Sequence, residues 1–354
     1  MKKIGVIFGG ASTEHDVSIV SGASVIKNLN KDHYTVEKIY ISKEGEWYIC
    51  HDSIEELEKL QVGETVKNIE KLVNPIEELK KYDCIFPVLH GLYGEDGSIQ
   101  GLLEILNIPY VGCHILASSI CMDKAYTKVI LEKAKIKQAK YVYIQAYENE
   151  TYYYVTEEYT KKKMSLAQIM QEVEKTLSYP MFIKPCNSGS SVGVTKAENI
   201  EELEKAILIA AKYDVKILIE QEVKGKEVEC AVLGNENPKA SCIGEVLFAE
   251  DFYTFDSKYH NQQSRTQIPA NLPEDISEKI RNIAVKAFEV VDAKGLARVD
   301  FFVEEKSNEI ILNEINTMPG FTQISMYPKL WEASGITYTE LLDELIHLAM
   351  QIHK

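Results

Sequence analysis

Several absences narrow the function of this 354-residue chain before any motif is read. It has no Cys-x-x-Cys pair, and its seven cysteines are an odd number without paired spacing. That argues against a disulfide framework and a cysteine zinc site, and fits reduced thiols in a cytosol. No stretch approaches the ~18 apolar residues of a membrane span. The opening Met1–Gly10 has too short an apolar part for a secretory signal and no cleavage site, so it reads as a first buried strand. Basic charge is in deficit, with 39 Lys and Arg against 54 Asp and Glu and a net charge of -15. Nucleic acid and anionic membrane surfaces are therefore poor partners. Both the Walker A order and Gly-x-Gly-x-x-Gly are missing. The second strand ends in Tyr40-Ile41-Ser42-Lys43, with no acid placed for a ribose, so a nicotinamide-dependent oxidoreductase has no fingerprint here. Internal repeats and low-complexity linkers are also absent.

What is present fits a globular protein of two or three domains, 45% hydrophobic and 26% charged. The first third alternates strands (Ile4–Phe8, Val36–Ile41, Cys84–Leu89, Pro109–Gly112) with helical spacing (Val17–Leu29, Glu55–Leu60, Ile99–Leu106). This predicts an α/β parallel sheet with helices on both faces. Beyond Ala117 come a helix over Met122–Ala134, strands in the Tyr-rich stretch Tyr141–Lys163, and a capped helix from Ser165 to Leu177. Strands follow at Pro180–Lys184 and Ile217–Glu220. From Glu227 onward strands dominate, with helices over Ile276–Val291 and from Tyr338.

The chemistry is concentrated near the C-terminus. Arg298 and Asp300 lie two apart on one strand, and Glu314 and Asn316 two apart on the next, so each pair shares a face. A hairpin through Glu304–Glu309 brings Asp300 opposite Glu314. Two carboxylates and an amide oxygen suit Mg²⁺, a hard cation that accompanies nucleotide phosphates. Lys184 through Gly193 is a glycine-serine loop after a buried strand, able to offer amides to an anion; a plain hairpin turn is its other reading. Ile217–Val223 leads into a connector of the kind that flanks an adenine, with Glu227 in reach of a ribose. Lys124 opens a helix. Thr13–Asp16 fits a capping box, while Glu14 also ends the first strand, where open α/β sheets place ligands. His90 ends another strand at that edge. The polar, aromatic segment 247–267 reads as a lid.

Taken in order, these motifs resemble the D-alanine–D-alanine ligases of the ATP-grasp superfamily, over essentially the whole chain. The carrying residues are Ile7–Gly10 with Ser12–Ser18, Leu89–Gly91 with Gly94–Gly97, and Met122–Lys124. Lys184-Pro185 with Gly189–Gly193, Lys258-Tyr259, Arg298–Asp300, Asn313–Thr317 and Pro319–Thr322 complete the series. The resemblance implies an N-terminal Rossmann-like domain (1–119) and central (120–219) and C-terminal (220–354) ATP-grasp domains. It implies that Lys124 and Lys184 hold phosphates with the Ser190-Ser191 loop, that Glu220 and Glu227 hold adenosine, and that Asp300, Glu314 and Asn316 bind two Mg²⁺, with Mn²⁺ as an alternative. Glu14, linked to Ser190 and Tyr259, would anchor the first substrate's ammonium, with His90 nearby. Arg298 and the Gly320 amide would form an oxyanion hole. Ser325 and Lys258 would take the second substrate's carboxylate beside Met326, with Lys258 also near the nucleotide. A cytoplasmic homodimer acting on ATP and D-alanine is the corresponding expectation, with D-serine or D-lactate as other second substrates. The lid departs from the family pattern at Tyr253-Thr254-Phe255-Asp256.

Overall fold

Six of the eight residues of β1 (Lys2–Gly9) are buried, because this is an interior strand of a five-stranded sheet, with a neighbour on each side. In the computed structural model, which describes residues 1–60, 63–247 and 265–353, β1 pairs in parallel with β2 (Tyr34–Ile41) and β5 (Cys84–Pro87). After β1 the chain turns at Gly9, φ +91°, where a Cβ would lie 2.2 Å from the Ile41 carbonyl; only glycine fits. α1 (His15–Asn28) then crosses the sheet, with Gly22 pressed against Phe8.

The sheet is not wholly parallel, as the alternating pattern had implied. β3 (Trp47–Cys50) and β4 (Ile69–Lys71) add to β2 in antiparallel fashion. A tight turn suffices for antiparallel neighbours, whereas parallel ones need a crossover, and Ser42–Glu46 supplies that turn with Gly45 at φ +83°. Helices α2 (Ile54–Glu58), α3 (Pro75–Leu79), α4 (Ser98–Ile105) and α5 (Ile115–Met122) complete this unit. The expected strand at Pro109–Gly112 is reduced to a single bridge from Tyr110 to Ile85.

The second sheet has six antiparallel strands in the order β10-β9-β11-β6-β7-β8. They are β6 (Tyr141–Tyr147), β7 (Thr151–Val155), β8 (Lys161–Met164), β9 (Met181–Pro185), β10 (Thr195–Ala197) and β11 (Lys216–Gln221). α7 (Leu166–Thr176) and α8 (Ile200–Ala210) bury its apolar face. The capping box at Ser165 forms as expected. The expected helix over Met122–Ala134 instead restarts at Asp123, which caps α6 (Lys124–Lys133) by accepting from the Ala125 and Tyr126 amides. The Tyr-rich stretch is the outer half of this sheet. Tyr152 packs into the α7 core and Tyr143 into the opposite face. Lys161, Lys162 and Lys163 are exposed on the edge strand, where lysines discourage pairing with another chain.

The third sheet runs β14-β13-β12-β15-β16 and is antiparallel. Its strands are β12 (Gly225–Gly234), β13 (Lys239–Leu247), β14 (Arg265–Gln267), β15 (Gly295–Glu304) and β16 (Ile310–Asn316). α9 (Glu274–Val290) covers one face. α10 (Met326–Ala333) and α11 (Tyr338–Ile352) pack on the other and continue into the first sheet. One core therefore joins the two ends of the chain, with Phe86 and Phe321 edge to face at 5.7 Å. Among the described residues, no helix is long and apolar enough to cross a membrane.

Candidate active site

The three sheets meet around a cleft of about 1040 Å³. Its walls carry Glu14 and His90 from the first unit, and Lys124, Lys184, Ser190, Ser191 and Glu220 from the second. Glu227, Arg298, Glu314, Asn316, Gly320, Ser325 and Met326 come from the third. Residues more than three hundred positions apart in the chain are thus gathered in one cleft. Lys258 and Tyr259, and with them the lid at 247–267 apart from its two ends, lie outside the described residues.

Glu14 precedes α1 but caps nothing: no side-chain cap bond forms there. The capping box expected at Thr13–Asp16 fails because both acids are engaged elsewhere. Asp16 accepts from the Gly63 amide at 3.0 Å and pairs with Lys43 at 3.0 Å. Glu14 turns into the cleft and accepts from the Ser190 hydroxyl, the link the family resemblance implied. Its carboxylate lies against two glycines. A Cβ on Gly91 would stand 2.4 Å from Glu14 Oε2, and one on Gly189 2.5 Å.

The loop after β9 holds Ser190 at φ 46°, Ser191 at φ 60° and Gly193 at φ 74°. Consecutive non-glycine residues in the left-handed region are uncommon and gather at ligand clamps. Lys124 Nζ donates to the Ser188 carbonyl at 2.5 Å, tying α6 to this loop.

Glu220 is 4% exposed, not a surface acid. Lys184 pairs with it at 2.6 Å and the buried Lys128 from its other side. Burial alone would raise its pKa, but the two ammonium groups outweigh that and hold it down to about 2. The same carboxylate pushes Lys184 upward against burial, while burial prevails at Lys128 and lowers it. Lys128 was missed in the sequence. Its signal was its position four residues after Lys124, one turn along the same helical face.

At the β15–β16 hairpin Asp300 stands opposite Glu314 and Arg298 opposite Asn316, with a register shift just after Asp300. Such a bulge re-aims side chains. Asp300 is 2% exposed and stands behind the cleft wall, not on it as its share of the motif implied. It accepts from Arg298 Nε at 2.8 Å, Arg298 Nη2 at 2.6 Å and Asn316 Nδ2 at 2.9 Å. Arg298 also pairs with Glu229 at 2.9 Å; burial opposes its charge, yet Asp300 and Glu229 raise its pKa further. Glu229 was also missed, although it sits two residues after Glu227 on the same strand face. Among the described residues no group of three His, Cys, Asp or Glu side chains gathers at metal range. The donor set here is two carboxylates and an amide, whose oxygens fit a hard cation; an ion would share Asp300 with Arg298.

His90 lines the cleft, but both its ring nitrogens are engaged, with the Met318 carbonyl at 3.1 Å and Ser21 Oγ at 3.0 Å. Burial lowers its pKa, keeping it neutral. Glu95, part of the Gly94–Gly97 motif but given no role of its own from the sequence, lies beside it. Burial and then the Glu14 charge push Glu95 up to about 8. Ser325 precedes α10 and accepts from the Thr322 amide at 3.0 Å, and a Cβ on Gly320 would meet its hydroxyl at 2.8 Å.

Family models and known proteins match this chain over nearly its whole length. A model described as "D-ala D-ala ligase N-terminus" matches residues 3–113, and one described as "D-ala D-ala ligase C-terminus" matches 126–347. The chain is 46% identical to the D-alanine–D-alanine ligase of Acetivibrio thermocellus, covering 99% of this chain and 96% of that one. The structure of the D-alanine–D-alanine ligase from Coxiella burnetii superposes with a TM-score of 0.80 at 34% identity, covering 99% and 94%. That of the VanG D-Ala:D-Ser ligase from Enterococcus faecalis gives 0.83 at 35%, covering 98% and 99%. With both halves of the chain matched and a cleft built from the same ordered motifs, this protein belongs to the D-alanine–D-alanine ligase family and has its ATP-grasp fold.

Proposed function

We propose that the chain joins two D-alanine molecules into D-alanyl-D-alanine at the expense of ATP, supplying peptidoglycan precursor synthesis. What supports this reading is one cleft lined by Glu14, Lys124, Lys184, Glu314 and Asn316, with Asp300 paired to Glu314 directly behind its wall. A carboxylate and an amine do not condense unaided in water. The first D-alanine's carboxylate oxygen attacks the γ-phosphorus of ATP, ADP leaves, and an acyl phosphate forms. The second D-alanine's amine then attacks the acyl carbon, the C–N bond forms, the C–O bond to phosphate breaks, and phosphate leaves. The amine's proton passes to a Ser190–Tyr259–Glu14 chain or to a phosphate oxygen.

Each group has a place in that scheme. Glu14 holds the first ammonium, with His90 packed beside it. Lys124, Lys184 and the Ser190-Ser191 loop hold phosphates, and Glu220 and Glu227 hold adenosine. Two Mg²⁺ ions, or Mn²⁺, on Asp300, Glu314 and Asn316 would offset phosphate charge. Arg298 and the Gly320 amide stabilise the tetrahedral oxyanion. Ser325 and Lys258 take the second carboxylate, and closure of 247–267 keeps water from the acyl phosphate. Domains at 1–119, 120–219 and 220–354, a homodimer, and a cytoplasmic location belong to the same reading; nucleic acid and membranes do not.

The similarity to a D-Ala:D-Ser ligase raises D-serine as second substrate. Met326 in the cleft wall is apolar, where a hydroxyl would gain from a polar partner, which favours D-alanine. ADP release should depend on D-alanine and not rise when D-serine is supplied as competitor. Release independent of D-alanine would refute the proposal.

A further inference from the structure

The segment Met318–Phe321 carries the Gly320 amide to the cleft, and residues of the N-terminal unit hold the backbone on both sides of it. The Met318 carbonyl can only accept, so the proton sits on His90 Nδ1, 3.1 Å away. His90 Nε2 is then an acceptor and takes the Ser21 hydroxyl at 3.0 Å. Ser21 Oγ in turn receives the Phe321 amide at 3.4 Å. Every donor meets an acceptor in one assignment, and the chain of bonds closes from Phe321 back to Met318. Ser21 is 0% and His90 4% exposed, so water does not compete. Glu95 adds the remaining bond: its Oε1 accepts from the Met318 amide at 3.3 Å and its Oε2 from the Gly91 amide at 2.7 Å. Among the described residues, the Gly320 amide itself meets no protein acceptor, which leaves it for a ligand.

We propose that Ser21, His90 and Glu95 are positioning residues that aim the Gly320 amide at the reacting carbonyl, so that the N-terminal unit sets the oxyanion site. The proposal rests on the ligase reading above and deepens it. Through Glu95 the frame also fixes Gly91, which packs against Glu14. The ammonium anchor and the oxyanion donor are thereby registered to each other by the two oxygens of one carboxyl group. His90 accordingly supports the site through Met318 instead of through a free ring nitrogen.

The test uses the full chain with ATP, Mg²⁺ and D-alanine, following phosphate and dipeptide together in wild type, Ser21→Ala and Glu95→Gln. Glutamine offers one acceptor where two amides need two. Removing an oxyanion donor outright costs about 10²–10³-fold, and misaiming one should cost about tenfold in dipeptide kcat, with the ATP KM within about twofold. Because the oxyanion forms in the amine-attack step, acyl phosphate is still made and is lost to water. Phosphate released per dipeptide should then rise several-fold above the wild-type ratio. An unchanged dipeptide rate, or a parallel fall in phosphate and dipeptide as general loosening would give, overturns the proposal. Ser21→Ala deletes one oxygen and adds nothing, so it carries the test if Glu95→Gln does not fold. A wild type that makes no dipeptide would instead remove the ligase reading, and this inference with it.

Discussion

Glu14 is only 6% exposed, and its carboxylate is shaped by what Gly91 and Gly189 lack. A methyl at Gly189 would press on a flexible carboxylate end, so the fold survives while the carboxylate moves. Gly189→Ala should therefore raise the KM for the first D-alanine about tenfold or more and leave the ATP KM and the melting temperature nearly unchanged. Equal effects on both substrates would refute the placement. Glu220 gives a prediction in pH. Its folded pKa of about 2 lies below the ordinary 4.5, so its stabilisation is fully present above pH 4.5 and is lost as pH falls towards 2. The shift corresponds to roughly 3 kcal/mol. The stability gap between wild type and Glu220→Gln should be wide at neutral pH and shrink across that window; a gap constant with pH would contradict the buried ion pairs. Lys128→Met breaks the same group and should cost about 3–5 kcal/mol, read as a lowered denaturation midpoint.

At the scale of elements, the β15–β16 hairpin carries the metal-ligand reading. Asp300→Asn or Glu314→Gln should lower turnover by about 10²-fold or more, by analogy with loss of transition-state charge stabilisation, while circular dichroism stays native. Near-normal ligation would remove the assignment. This hairpin was legible because a period of two fixes which side chains share a face, and Asp300 does stand opposite Glu314. The bulge after Asp300 was not legible, nor was the withdrawal of Asp300 behind Arg298, since both depend on a neighbouring strand that brings Glu229 across. α10 was not expected from the sequence; its Pro328 lies in the first turn, where proline is tolerated. The antiparallel β3 and β4 were missed because an alternating pattern says nothing about strand direction. Lys128 and Glu95 were given no role of their own because a charged residue on a helix or loop is ordinarily solvated; only the packing shows them buried.

Across the whole molecule, the first and third sheets share one apolar core through Phe8, Phe86, Phe321 and Tyr327. That continuity fixes Glu14 relative to Arg298, and it follows from α10 and α11 packing back onto the N-terminal unit. The second sheet brings the phosphate-binding candidates to the same cleft through Lys124 and the Ser188–Val194 loop. The order of motifs along the chain announced the assembly, but not which residues brace it. The most direct test is the product mixture from purified protein given ATP, Mg²⁺ and equal D-alanine, D-serine and D-lactate. D-alanyl-D-alanine as the main product, with one ADP and one phosphate for each dipeptide, is the predicted result. ATP consumed without any dipeptide, or a mixture dominated by D-alanyl-D-serine, would contradict it.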